Sequence, residues 1–230
     1  MYRRRSRGFT LVELLVALFA MAILALLSWR GLDSMVRVQE RTQSRADEVL
    51  ALQVGLAQWA ADLDNLVQLP LITALDWNGR VLRLTRRGTG SVTDGVVVVG
   101  WTRRDAGGAG QWLRWQSPPL TTRAEVDDAL QRADAWARTP EGPELRNEVA
   151  ITPLANWQIF YYRSNAWTNP QSSDAASVAA GVPPPTPPGI PRGTVIPDGV
   201  RLVLQLPPGQ ALTGELVRDW VRSTVGGGKS

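Results

Sequence analysis

Glu13 is the one charged residue in a stretch, 9–29, that reads FTLVELLVALFAMAILALLSW. A carboxylate there costs several kcal/mol in a bilayer unless it snorkels to the interface, takes up a proton or meets a cation. Two readings follow. In one, Glu13 lies close enough to the interface to snorkel. In the other, it meets a positive charge supplied by another subunit. Elsewhere the closest carboxylate pairs are Asp62/Asp64 and Asp127/Asp128. Retaining glycosidases use two positioned carboxylates, but pairs on a surface helix are read as solvated. The chain has no cysteine and no histidine, which removes thiol nucleophiles, Cys/His zinc sites and Ser-His-Asp triads. No D-x-D-x-D-G run offers a calcium loop. The expectation is therefore a protein that is not an enzyme, with no catalytic residue, no cofactor and no metal.

The element that carries Glu13 is a hydrophobic helix. The run 14–27 is unbroken in apolar character, and residues 9–29 would form a helix of about 32 Å, enough to cross a bilayer core. A secretory signal peptide would have a shorter apolar core followed by a small-residue cleavage site. No such site follows Ser28-Trp29-Arg30, and Gly8 sits on the other side of the run, at the boundary between charge and apolarity. Arg3, Arg4, Arg5 and Arg7 precede the span, which favours a cytoplasmic N-terminus and an extracytoplasmic remainder. These arginines also account for the basic balance. The chain has a formal net charge of +4, so without the four the mature chain is neutral. That gives no field for phosphates, and no nucleic-acid partner is expected.

Gly8-Phe9-Thr10-Leu11-Val12-Glu13, after a short basic leader and before an apolar helix, resembles the type IV prepilin signal. The resemblance implies that a prepilin peptidase/methyltransferase cuts between Gly8 and Phe9 and N-methylates the new Phe9 amine. It also implies that Glu13 attracts the Phe9 amine of an adjacent subunit during assembly. Pairing two buried charges costs far less than burying either alone.

Past the span, the helix is expected to continue without proline to about residue 67, with Pro70 stopping it. Val49, Leu52, Leu56, Trp59, Leu63 and Leu66 recur at spacings of three and four, which makes one helical face. That face is expected to pack on the protein's own sheet, with a partner-binding stripe as the other reading. Short β-like runs follow at 81–85, 96–101, 112–115, 157–163 and 200–206, punctuated by Gly88-Thr89-Gly90 and the glycines at 107, 108 and 110. Val96 to Val99 suit a central strand and 200–206 a half-exposed one. A helix over 125–138 would take Thr121 or Thr122 as its cap. Residues 170–191, with VPPPTPPGIP, read as loop or polyproline II. The expected organisation is a cleaved leader 1–8, a transmembrane helix 9–29, a periplasmic extension 30–68, a β-rich globular domain 69–225 with its Pro-rich loop 170–191, and a flexible tail 226–230. The fold class is α+β, a long helix packed on antiparallel sheet.

The remainder of the chain is similar to the J family of minor pseudopilins of type II secretion systems. Leu56-x-x-Trp59-x-x-Asp62-Leu63 resembles that family's pattern late in the long helix. Trp112-Leu113-Arg114-Trp115, the strand from Trp157 to Arg163 followed by Trp167, and Ile196-Pro197-Asp198-Gly199-Val200-Arg201-Leu202 resemble its strands in order and spacing. Ala61 departs from it, standing where an arginine often precedes the helix aspartate, and the proline-rich excursion is long. Glu13 argues against the K pseudopilin, which typically lacks that carboxylate.

The resemblance implies a type IV pilin-like fold and a structural role at the tip of a pseudopilus. There the protein would help initiate filament assembly and the export of folded proteins across the outer membrane. It implies as partners the prepilin peptidase/methyltransferase, minor pseudopilins I, K and H, major pseudopilin G and the inner-membrane assembly platform. The location implied is a single pass in the inner membrane with a periplasmic C-terminal domain. A minor pilin of a type IV pilus or DNA-uptake system shares the same leader and helix. A membrane-anchored glycan-binding protein or enzyme is the reading from another class, prompted by ten tryptophans. Most of those fall on the helical stripe or in strands, where they read as core. N-terminal sequencing of the mature chain is expected to give Phe-Thr-Leu-Val-Glu with a methylated first residue. An uncut leader, or a start after Ser28, would contradict that.

Overall fold

The computed structural model describes residues 10–88, 95–106, 108–163, 165–171 and 196–223. Helix α1 runs Leu11–Asp64 and is followed by β1 Leu75–Trp77, β2 Val81–Arg87, β3 Val96–Ala106 and β4 Ala109–Gln116. Helices α2 Arg123–Arg138 and α3 Gly142–Leu145 come next, then β5 Glu148–Pro153, β6 Asn156–Arg163, β7 Ala166–Thr168, β8 Gly199–Leu206 and β9 Gly214–Val221. The chain divides into two units, Met1–Asp47 and Glu48–Ser230.

The described part of the first unit is the N-terminal portion of α1. Every residue from Thr10 to Asp47 is exposed, and the helix is long and apolar enough to cross a membrane. Among the described residues of this unit, nothing covers that apolar surface. Below the span the polarity returns, with Arg37 donating to Asp33 at 2.8 Å one turn away.

The second unit is a layered α+β body. One antiparallel sheet has the order β1-β2-β3-β4-β5 and the other β7-β6-β8-β9. The first sheet is buried on both faces. Alternate residues of β3 divide between two cores: Val97, Val99 and Trp101 join Leu52, Trp59 and Leu63 of α1, while Val98 joins Val126, Ala129, Ala133 and Trp136 of α2. That is why 96–99 can be β-branched without a break: a central strand covered on both sides has no polar face. Gly100 brings α2 close, since a Cβ there would stand 3.1 Å from the Trp136 ring. The second sheet contributes Trp157, Ile159, Val200, Leu202 and Leu204 to the α1 core. Its other face is solvent-facing, which gives β8 its alternating burial.

Thr122 caps α2 in a capping box, accepting from the Glu125 N–H while the Glu125 carboxylate accepts from the Thr122 N–H. Hydrogen bonds from the Thr121 and Thr122 backbone hold the Glu125 carboxyl below its ordinary range. The strands at 81–85, 96–101, 112–115, 157–163 and 200–206 are all present, each extended by the structure. The stop at Pro70 is a correction. Helix α1 ends at Asp64, six residues earlier, because Leu66 bridges to Arg86 and the Val67 N–H donates to the Thr85 carbonyl. Backbone groups recruited by a sheet edge cannot also continue a helical ladder. Thr89 and Gly90 of the expected turn, most of 170–191, and the tail 226–230 lie outside the described residues.

Candidate assembly site

Of the three residues singled out at the N-terminus, Gly8 and Phe9 lie outside the described residues, and Glu13 stands in the first turn of α1. There it closes a capping box with Thr10. The Thr10 backbone N–H and hydroxyl donate to Glu13 Oε2 at 3.1 and 3.0 Å, and the Glu13 N–H donates to Thr10 Oγ1 at 3.3 Å. Two of the helix's otherwise unpaired N–H groups are satisfied in this way. Glu13 Oε1 has no partner among the described residues, and both side chains are exposed. The carboxylate thus caps its own helix through one oxygen and offers the other to whatever approaches. Thr10 was missed in the sequence, although T-x-x-E ahead of an apolar run is the signature of this box.

At the other end of α1 a second carboxylate has the opposite fate. Asp62 is fully buried, which corrects the reading of Asp62/Asp64 as a solvated pair. Arg114 of β4 forks onto it, Nε to Oδ2 at 2.8 Å and Nη2 to Oδ1 at 2.9 Å. Arg86 of β2 brings its Nε to 3.0 Å from Oδ1 as an ion pair. Trp101 of β3 donates its indole N–H to Oδ2 at 3.0 Å, and Gln58 donates to Oδ1 at 2.9 Å. One carboxylate on the helix therefore gathers three adjacent strands. Gln116 ties the two guanidiniums together, its Oε1 accepting from Arg86 Nη2 and Arg114 Nη2 at 2.9 and 2.8 Å. Burial pulls Arg86 below its ordinary pKa, with Asp62 opposing the shift and Arg114 adding to it. It stays protonated all the same, because a guanidinium does not give up its proton in a protein.

Asp64 does not join this cluster. It accepts the Trp220 indole N–H at 2.7 Å, so the helix's two late carboxylates are bonded to different sheets and form no acid–base pair. Asp127 pairs with Arg123 one turn away and Asp128 is exposed. The same carboxylate–indole pattern recurs at Trp115 with Glu144 and Trp136 with Glu148, at 2.7 and 2.6 Å. Five tryptophans, at 59, 101, 112, 115 and 136, are fully buried. They belong to the core, not to a sugar-stacking surface. Among the described residues no cluster of three Asp or Glu side chains stands ready for a metal.

Residues 3–29 match the family described as the prokaryotic N-terminal methylation motif. Over 64 residues the chain is also 38% identical to Type II secretion system protein J of Klebsiella pneumoniae. The N-terminus carries this methylation motif, and part of the chain resembles a type II secretion system protein J. The aligned stretch is 28% of the chain and 32% of that relative, so the chain spans about a third of the length of the curated protein it matches. The motif overlaps the start of the helix that, among the described residues, is long and apolar enough to cross a membrane.

Replacing Asp62 tests what holds α1 to its sheet. Asp62→Ala leaves the buried Arg86 and the partly buried Arg114 facing each other and is expected to destabilise the second unit by about 3–5 kcal/mol. Asp62→Asn keeps the shape and some hydrogen bonds and should lose less. Denaturant midpoints of the two variants against the parent check this, and an Asp62→Ala protein as stable as the parent would refute the clamp.

Proposed function

We propose that this chain is a minor pseudopilin of a type II secretion system. In this reading it is a component of the pseudopilus tip complex that helps initiate filament assembly and the export of folded proteins across the outer membrane. The observation that carries the reading is the methylation motif over residues 3–29, together with 38% identity to a J protein over 64 residues of the same chain. The leader 1–8 is removed between Gly8 and Phe9 by a prepilin peptidase, which methylates Phe9. The N-terminus faces the cytoplasm, α1 anchors the chain in the inner membrane, and the second unit stands in the periplasm. Its partners are pseudopilins I, K and H, the major pseudopilin G and the inner-membrane assembly platform. Co-purification of the full-length chain with cognate I and K from membranes tests the assignment. Stable recovery of all three is the expected result, and exclusive recovery with type IV pilus subunits would transfer the chain to the pilus reading.

Glu13 supplies the countercharge for the Phe9 amine of a neighbouring subunit. Support comes from its geometry: one oxygen is engaged by Thr10 and the other has no partner among the described residues. Two substitutions separate this role from capping. Glu13→Gln keeps a side chain able to close the box but removes the charge, and Glu13→Leu removes both. Each variant should be cleaved and inserted normally, since losing the charge eases membrane residence, by about 2.5–3.5 kcal/mol at a helix centre and less near the interface. Both should then cross-link poorly to other pseudopilins and secrete less cargo enzyme. Wild-type behaviour of Glu13→Gln alone would leave capping as the residue's only task. Wild-type behaviour of Glu13→Leu would make the carboxylate a snorkelling bystander.

A further inference from the structure

Each antiparallel sheet leaves two strands at its rim, and three of these four edges are blunted. Strands β1 and β7 are three residues long, and β5 ends in Pro153 with a register shift against β4. Short length, proline and irregular pairing are the usual protections of an open edge. The fourth edge, β9, has none of them. Its eight residues pair with β8 in one unbroken register, and among the described residues no strand lies on its other side. The direction of its free backbone groups follows from the ladder. The Arg222 N–H donates to the Asp198 carbonyl, while the Gln205 carbonyl accepts from the Ala155 N–H just before β6. Residues of an antiparallel strand bond to its two neighbours in alternation, so Leu216, Arg218 and Trp220 are the ones that bond β8. Glu215, Val217, Asp219 and Val221 aim their N–H and C=O groups outward from the edge, with no backbone partner among the described residues. Val217 and Val221 are also 48% and 62% exposed.

We propose that β9 is a strand-addition site for an extended peptide segment of another protein, one whose outer face alternates apolar and basic residues. The inference stands on this edge alone and does not need the pseudopilin reading. An open row of N–H and C=O groups is satisfied by an extended chain, whereas a helix keeps those groups in its own ladder. Charge then selects the sequence of that chain. The four edge residues share the outer face of the second sheet, where they read acid, valine, acid, valine. An added strand would set its side chains about 5 Å from theirs. Apolar residues therefore belong beside Val217 and Val221, and cations beside Glu215 and Asp219. Glu215 accepts from the neutral Gln205 amide at 2.7 Å and has no cationic partner among the described residues. Asp219 is forked by Arg201, Nε and Nη2 each at 2.7 Å, which fixes its carboxylate beside the edge and holds it below its ordinary range. Arg218, exposed on the opposite face, asks for a carboxylate. A second copy of β9 does not meet these demands. The two antiparallel registers that would join nearly the whole strand to its own copy set Glu215 against Asp219 in one and Arg218 against Arg218 in the other. Like charges directly opposite one another destabilise a strand pair.

The probe is a synthetic peptide, Val-Thr-Lys-Glu-Val-Thr-Lys, capped at both ends and carrying a fluorophore. Laid antiparallel to β9, it sets its valines beside Val221 and Val217, its lysines beside Asp219 and Glu215, and its glutamate beside Arg218. Fluorescence anisotropy with the full-length chain in detergent micelles measures its binding, and empty micelles give the background. The peptide with every charge reversed, Val-Thr-Glu-Lys-Val-Thr-Glu, should bind at least about fivefold more weakly. N-methylation of the second valine, whose N–H faces β9, should weaken binding by about tenfold or more. N-methylation of the threonine after it, whose N–H faces solvent, should leave the peptide bound. On the protein, Val217→Pro deletes an N–H that β8 does not use and should lose the peptide. Glu215→Lys, an exposed change that leaves the ladder intact, should weaken the first peptide and strengthen the charge-reversed one. No binding at about 1 mM peptide, equal binding of the two charge patterns, or equal loss from the two N-methylated peptides would each overturn the proposal. So would a concentration-dependent dimer abolished by Val217→Pro, since the edge would then belong to a second copy of this chain.

Discussion

The second unit depends on one buried carboxylate. An ionised aspartate withdrawn from water is tolerated only when paired and fully hydrogen-bonded, and Asp62 meets that condition by reaching Arg86, Trp101 and Arg114 on three neighbouring strands. Apolar packing alone would let a helix roll or slide across a sheet, because leucine contacts are interchangeable over small displacements. A bidentate guanidinium fork is not, since its geometry fails within a fraction of an ångström. The clamp therefore sets the rotation of α1 in this unit. Everything on the helix then follows at fixed angles: Trp59 and Leu63 into the core, Asp64 towards Trp220, and Leu50 and Val54 into solvent.

The two arginines outnumber the carboxylate, so the cluster holds a surplus positive charge inside the protein. Gln116 mitigates it as a shared acceptor, and the Arg87 carbonyl accepts from Arg86 Nη1 at 2.9 Å. The indole of Trp101 contributes from its other side too, with the Arg114 guanidinium 5.8 Å from the ring centroid. Such a centre is weak evidence for net stability compared with an apolar substitute. What it confers is a single arrangement of helix and strands.

Much of this was legible in the residues, and the failures have physical reasons. The apolar N-terminal helix, the strands β2, β3, β4, β6 and β8 and the Thr122 cap each announce themselves through local pattern. The strands β1 and β7 are three residues long, too short for any period to show. Strand β9 reads GELVRDWV, with charges that mask its alternation, and β5 ends in a proline that marks it as an edge. Asp62 was readable in principle: it falls on the buried face with Gly55 and Trp59, and a charge inside an apolar stripe asks for a partner. Its partners could not be read, because Arg86 and Arg114 lie far along the chain and only the sheet register brings them together.

Asp62 and Glu13 pose one physical problem at the two ends of one helix, and the chain answers it only once. Asp62 receives two cations and two neutral donors from its own unit. Glu13 receives a threonine. A hydroxyl and a backbone N–H suffice for a carboxylate in water, where solvent completes its shell, but in a bilayer the remaining oxygen would have nothing to accept from. The described apolar residues around Glu13 show the same incompleteness, since each is exposed in the isolated chain while the second unit has closed two cores. A charge and a hydrophobic surface left unsatisfied together are not defects of folding. They are two requirements that a lipid bilayer meets only in half, covering the leucines and stranding the carboxylate. In the proposed assembly, a neighbouring subunit bringing an ammonium group on an apolar helix would meet both.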